Sequence, residues 1–336
     1  MRTSDPALQR LLSSKDPSVR YAALTELAGG PARSPEAERL RRTIPRSAWV
    51  RALLAGQRSD GGFGVHPYKK WDGAHWRLVS LIELSLPVPH PRAQRALEQV
   101  LTWLRGPTHR ARIPRINGLV RRCASQEGNA LRVGSRLGLG GDPRVRALAS
   151  DLLEWQWPDG GWNCDKRPQA HHSSFHESLI PLWGLAEYRD ATGDRAVETA
   201  IECGAEFFLR HGLFRSEHNG SIITDRRVTG ARRSTTTAES TFLQLRYPPF
   251  WHYGILTALR VMAQLGKLGD PRVREALDVV EAKRAADGLW HADGRWWRAP
   301  GSGGADVEVV DWGPSAPNEM ITLTALRVLH AAGRLR

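Results

Sequence analysis

The sequence predicts an all-α protein: an α/α toroid of about five to six helix pairs in inner and outer rings, behind a short helical N-terminal cap. Three observations predict it. "GDPRVR" occurs at Gly141–Arg146 and again at Gly269–Arg274, each time opening a run that is apolar on one face. A second set of runs, "SLIPLWGLAEY", "GILTALRVMAQL" and "MITLTALRVL", is apolar nearly all round. The two kinds of run alternate along the chain. Internal repetition of this sort marks architectures built from stacked helix pairs.

The one-sided runs come first in each pair. In both GDPRVR copies Asp stands at a helix N-cap and Pro at the first helical position, where its missing N–H is not needed. Val145, Leu148 and Leu152 fall at i, i+3 and i+7; Val273, Leu277 and Val280 fall at i, i+4 and i+7. Both spacings put the apolar side chains on one helix face. The second helices start near Ala74, Cys123, His172, Pro248 and Asn318, in steps of 49, 49, 76 and 70 residues. Helices that are apolar on most faces are buried on most faces, so these form the inner ring. The two longer steps imply insertions, at about 214–247 and 288–314, with room for short hairpins. The polar first insertion, carrying Arg226, Arg227, Arg232 and Arg233, reads as a lid. Residues 1–44, with Asp-Pro helix starts, read as a HEAT-like cap, and residues 45–336 as the ring.

Composition narrows the setting. The 336 residues carry 48 Lys and Arg against 35 Asp and Glu, a formal charge of +13. Such a surplus serves an anionic ligand, a nucleic acid or a membrane surface, or is carried by a solvated surface. The Arg residues cluster in loops rather than along one helical stripe, which weighs against nucleic acid as the partner. Three widely spaced cysteines in a chain of this length indicate a reducing compartment. No apolar leader or membrane-length run is present, so the expected location is cytoplasmic.

The turns between helices repeat as well. "QRSDGGF" spans Gln57–Phe63, "QWPDGGW" spans Gln156–Trp162, "RAADGLW" spans Arg284–Trp290, and a faded copy, "FLRHGLF", lies at 208–214. Gly in the left-handed region ends the outer helix, the aromatic packs back on it, and the Gln amide reaches free backbone groups. The pattern resembles the QxxxGxW motif of squalene–hopene cyclases and related terpenoid cyclases, a superfamily that includes protein prenyltransferase β-subunits. The resemblance covers roughly residues 45–336. It implies an enzyme acting inside the ring on an isoprenoid or similarly apolar small molecule, diphosphate-bearing ones included. The cyclase acid motif DxDD is absent, which removes the usual proton donor.

Each turn delivers the chain to the mouth of the ring, and ionisable residues follow each one. Asp165, His176, Glu177, Asp311, His75, His252 and Glu319 are the acid–base candidates. Lys69, Trp71, Trp76, Arg122, Gln126, Trp251, Tyr253 and Trp312 are the substrate-binding candidates. The prenyltransferase branch implies a zinc ion held by Asp, Cys and His. Here His172 and His176, four residues apart, would share a helix face, and Cys164 would supply a third ligand from the turn. The alternative is that these histidines hydrogen-bond neighbouring helices. Proton-initiated chemistry, zinc-dependent transfer or hydrolysis, and a non-enzymatic helical-repeat binder all remain open at this point.

Overall fold

The computed structural model describes residues 5–224, 240–313 and 317–335. The chain is mostly helical. Its elements are α1 (Pro6–Leu12), α2 (Pro17–Ala22), a π-helical turn (Ala23–Leu27), α3 (Pro35–Thr43), α4 (Ala48–Leu54), α5 (Ala74–Glu83), α6 (Pro91–Arg105) and α7 (Pro107–Arg110). A hairpin of β1 (Arg115–Ile116) and β2 (Leu119–Val120) follows. Then come α8 (Ser125–Arg136), α9 (Pro143–Trp155), α10 (Phe175–Thr192), α11 (Glu198–Arg210), α12 (Ile255–Gln264), α13 (Arg274–Ala282) and α14 (Glu319–Ala331).

The starts follow the local chemistry. Asp142 accepts from Arg144 N at 2.8 Å and Asp270 from Arg272 N at 2.9 Å, each just ahead of a proline. Asn318 caps α14 by accepting from Met320 N and Ile321 N, both at 3.0 Å. Three of the apolar helices start within three residues of the expected positions, at Ala74, Ser125 and Phe175, and α14 starts one residue late. α12 starts at Ile255, seven residues after Pro248. The prolines at 248 and 249 and the left-handed Phe250 (φ 51°) keep the intervening chain out of a helix.

α5, α8, α10, α12 and α14 pack in series, each on the next. α6 packs on α5 and α8, α9 on α8 and α10, α11 on α10, and α13 on α12 and α14. The series is the buried layer: α10 buries every residue from Glu177 to Tyr188, and α14 every residue from Met320 to Leu326. The partners are one-sided; α6 buries Ala93, Ala96, Leu97, Val100, Leu101 and Leu104 only. The N-terminal helices lie against the C-terminal one, tied by Ser14 to Glu319 and Glu26 to Arg327, while Asp5 bonds Arg284 in the turn after α13.

The repeated turns are alike in detail. Gln57 Nε2 donates to Gly61 O at 3.0 Å, Gln156 Nε2 to Gly160 O at 2.8 Å, and Arg284 Nε to Gly288 O at 2.7 Å. The Arg thus makes the same bond as the Gln it replaces. Trp162 Nε1 donates to Leu152 O and Trp290 Nε1 to Val280 O, each ten residues back. The Trp162 and Trp290 amides donate to Ser178 Oγ and Thr322 Oγ1 on the following buried helices. Gly160 is in the left-handed region (φ 98°), and a Cβ there would stand 2.3 Å from Cys203 O; only glycine lets the turn reach α11 so closely.

The hairpin is an element not expected at its position. Asn117 and Gly118, both with positive φ (51° and 77°), make its two-residue turn, and the register pairs Arg115 with Val120 and Ile116 with Leu119. Asn-Gly is the strongest short hairpin signal, so "INGL" carried the information. The expected hairpins elsewhere are isolated bridges such as Arg215 with Ile222 and Arg298 with Val307. Arg226, Arg227, Arg232 and Arg233, with residues 225–239 of the expected lid, lie outside the described residues. No helix among the described residues is long and apolar enough to cross a membrane.

Candidate functional site

The loop from Gln156 to Ser174 crosses the N-terminal ends of α8 and α10. Asp159 holds it closed by accepting from Ser173 N at 2.7 Å and Ser173 Oγ at 2.5 Å. Asn163 Nδ2 donates to His172 O at 2.7 Å. Arg122 N donates to Asn163 O at 3.1 Å, which sets the residues before Cys123 and Cys164 side by side. The buried Arg121 stacks on Trp157 at 4.5 Å and donates to Ala170 O, which ties the hairpin to the loop.

This arrangement brings together Cys123, Cys164 and Glu177. Their two sulfurs and a carboxylate oxygen lie within 4.8 Å of one another. Glu177 is buried, with Oε2 accepting from Ser125 N at 3.1 Å and Oε1 3.9 Å from Cys164 Sγ. Burial pushes its carboxyl up, against the opposing pull of Ser125. The Cys123 thiol is pushed up by its hydrogen bond to Cys164, by burial and by Glu177. Cys164 moves down, because Cys123 donates to it.

All three residues line a cavity of about 1160 Å³. Tyr68, Phe175, Phe207, Ile223, Phe242 and Trp251 supply its apolar wall. Polar side chains, among them Lys70, Asp159, Asn163, Arg167, Arg210 and Glu217, complete the wall.

Of the candidate residues, Asp165, His176, Glu177, Gln126, Trp251, Cys164 and His172 also line the cavity. Asp165 is paired with Arg167, with Nε–Oδ2 at 2.9 Å. His176 Nδ1 accepts from Tyr253 N at 2.8 Å, and that bond places the ring proton on Nε2. The expected ligand set Cys164, His172 and His176 is not brought together: among the described residues the one group of three close donors is Cys123, Cys164 and Glu177. His172 is exposed and stacks at 4.0 Å on His171.

The other candidates lie off the cavity wall. Asp311 is exposed and accepts from Gly313 N at 3.0 Å. Glu319 accepts from Ser14 Oγ at 2.6 Å, next to the N-terminal helices. His75 is buried against Tyr68 and Trp76, and burial lowers its pKa to about 3, so it stays neutral. His252 is stacked between Trp251 and Trp296, and burial drives its pKa down too. Lys69 is exposed. Trp71 stacks on Phe250 at 4.1 Å, Trp76 packs on both, and Trp312 packs on Trp49 and Tyr247. Tyr253 donates to Leu213 O. Arg122 is engaged by Glu127, Gln126 and His109, which leaves its fork occupied.

Two features escaped the sequence reading. Cys123 as the partner of Cys164 is one; the signal was the equal 49-residue step that puts successive helix starts at neighbouring positions. The other is the pair Phe207 and Phe242, from α11 and the segment before α12, which pack on Phe175 of α10.

No family model and no curated protein matches the chain. Similar solved structures include a protein from Actinoplanes, with 19% identity, a TM-score of 0.42, and coverage of 95% of this chain and 90% of that one. A second is native alpha-2-macroglobulin from Escherichia coli, from domain MG7 to the C-terminus, with 15% identity and a TM-score of 0.42. The likeness covers 96% of this chain but 41% of that fragment. A third is type II terpene cyclase MstE from Scytonema in complex with geranylgeranyl dihydroxybenzoate, with 14% identity, a TM-score of 0.27, and coverage of 88% and 98%. Likenesses this distant assign no activity.

Proposed function

We propose that the chain is an enzyme that encloses an isoprenoid or similarly apolar small molecule in its cavity and works on it by acid–base chemistry at Cys123, Cys164 and Glu177. One observation carries this reading: three buried or half-buried ionisable groups from three separate segments converge on the wall of a cavity of about 1160 Å³ to which Tyr68, Phe175, Phe207, Phe242 and Trp251 also contribute. A core alone gains nothing from placing a carboxyl and two thiols there, since burying polar groups costs free energy unless they are paired. Perturbed ionisable groups in a cleft are candidates for a working site. The fold reading that goes with it is an α/α toroid. α5, α8, α10, α12 and α14 are its inner helices, and residues 1–44 cap the ring formed by 45–336.

The test is turnover of a panel of prenyl alcohols, prenyl diphosphates and squalene by the full chain and by Glu177→Gln. The expected result is product from the wild type and a loss of about 100- to 10,000-fold in the variant, the range for removing a proton-transfer group. Circular dichroism checks that the fold is kept. A Glu177→Gln protein that turns over the same substrate at the wild-type rate contradicts the assignment.

A further inference from the structure

We infer that Cys123, Cys164 and Glu177 are the ligands of a zinc ion whose fourth position opens into the cavity. This rests on the reading of the cavity as the working site; with zinc bound the three side chains would be its deprotonated ligands, and a water at the fourth position would take over the acid–base role.

The donor set fits. Two thiols and one carboxylate, from the segment before α8, the α9–α10 loop and the first turn of α10, lie within 4.8 Å of one another. Tetrahedral zinc with bonds of roughly 2.0–2.3 Å sets its ligand atoms about 3.5 Å apart. Cys164 Sγ and Glu177 Oε1 are already 3.9 Å apart. Closing the group therefore needs side-chain shifts of about 1 Å or less. Two sulfurs select zinc over magnesium or calcium, which take oxygen donors.

The supporting contacts fit as well. The backbone bond from Arg122 N to Asn163 O fixes the spacing of the two cysteines. Ser125 N holds Glu177 Oε2, leaving Oε1 on the side of Cys164. Bonds of this kind, which orient a ligand without touching the metal, are a usual part of metal sites. Arg122, the nearest cation in the sequence, is neutralised by Glu127 with contacts of 3.0, 3.1 and 2.7 Å, so it does not occupy the place of the metal. Three protein donors facing a large cavity match a catalytic zinc, which keeps one position for water or substrate, rather than a closed structural one. All three donors are on the cavity wall.

The test uses the full chain purified without a metal-binding tag or chelators, incubated with zinc chloride and desalted. Mass spectrometry of the metal is expected to give about one zinc per chain. Cobalt substitution is expected to give a thiolate-to-metal charge-transfer band. Cys123→Ser and Cys164→Ser are each expected to weaken zinc binding by more than about 100-fold, beyond the 10- to 100-fold typical of losing an outer contact. Cys203→Ser, at an exposed residue outside the group, is expected to bind as the wild type does. A folded wild-type chain that takes up no zinc overturns the proposal. So does undiminished binding by Cys164→Ser, or recovery of Cys123 and Cys164 as a disulfide that excludes the metal. If zinc fails while Glu177→Gln still loses turnover, the acid–base reading stands alone. If zinc binds and no panel member is turned over, the substrate reading fails and the metal site stands.

Discussion

Glu83→Ala is expected to destabilise the protein by about 3–5 kcal/mol, the cost of removing one member of a buried ion pair. Glu83, at the end of α5, is buried and joins four elements. Its Oε1 accepts from Arg132 Nη2 of α8 at 2.7 Å, and its Oε2 accepts from Arg260 of α12. Arg132 also lies 3.3 Å over Trp183 of α10 and donates to Asn129. Burial alone would raise the Glu83 carboxyl, but Arg260 and Arg132 outweigh it and hold the pKa down at about 2. Burial lowers Arg132 to about 10, which leaves it charged at neutral pH. The variant therefore leaves two guanidinium groups without their shared carboxylate. Urea unfolding of wild type and variant measures the loss, and a loss below about 1 kcal/mol contradicts this account. The pH dependence has a defined sign. A depressed folded pKa contributes stability that is present above the ordinary Glu value and is lost as pH falls toward about 2. The advantage of wild type over Glu83→Gln is expected to shrink across that window and to be constant at neutral pH.

Gly184→Ala is expected to cost about 1–3 kcal/mol, although alanine is the better helix former by about 1 kcal/mol. Gly184 of α10 and Gly128 of α8 meet where the two helices cross. A Cβ at 184 would stand 2.6 Å from Gly128 O and 3.1 Å from Gly128 Cα. A Cβ at 128 would stand 2.7 Å from Pro181 N and 2.8 Å from Ile180 O. Every one of these neighbours is backbone, so no flexible side chain can swing aside. The helices themselves must part. α8 begins at Ser125 and α10 carries Glu177, so parting them also lengthens the bond that orients the carboxyl. Gly141→Ala is the control, since nothing lies within 4 Å of the added carbon there. Thermal unfolding of the two variants checks the difference; equal stability of Gly184→Ala and wild type contradicts the close crossing.

The helix pairs were legible because their signals are local. An Asp-Pro start, a one-sided apolar period and a Gly turn each act over a few residues, and GDPRVR and QWPDGGW write them out. α12 was misplaced because Pro248 and Pro249 stop a helix whose apolar composition runs on past them. The site was half legible. Cys164, His176 and Glu177 lie within one short stretch, and the stretch does reach the cavity. Which of them meet was not legible, because a helix turns about 100° per residue and adjacent positions face different neighbours. His176 thus reaches the Tyr253 backbone while Glu177, one residue on, reaches Ser125. Cys123 was hidden for a different reason: its partner lies 41 residues away, in a loop whose path depends on the Arg122–Asn163 bond. The supposed single ring of polar groups separates for the same reason into a cavity set, His252 stacked behind Trp251, and Asp311 and Glu319 with contacts of their own.

The central claim is that Cys123 and Cys164 open onto a cavity that takes an apolar ligand. It is tested most directly by iodoacetamide labelling of metal-free protein, read cysteine by cysteine from peptide masses, with and without saturating prenyl alcohol. The third thiol, Cys203, is exposed on α11 and serves as the internal reference. The account predicts that the ligand slows labelling of Cys123 and Cys164 and leaves Cys203 unchanged. Labelling of all three thiols at rates indifferent to the ligand contradicts it.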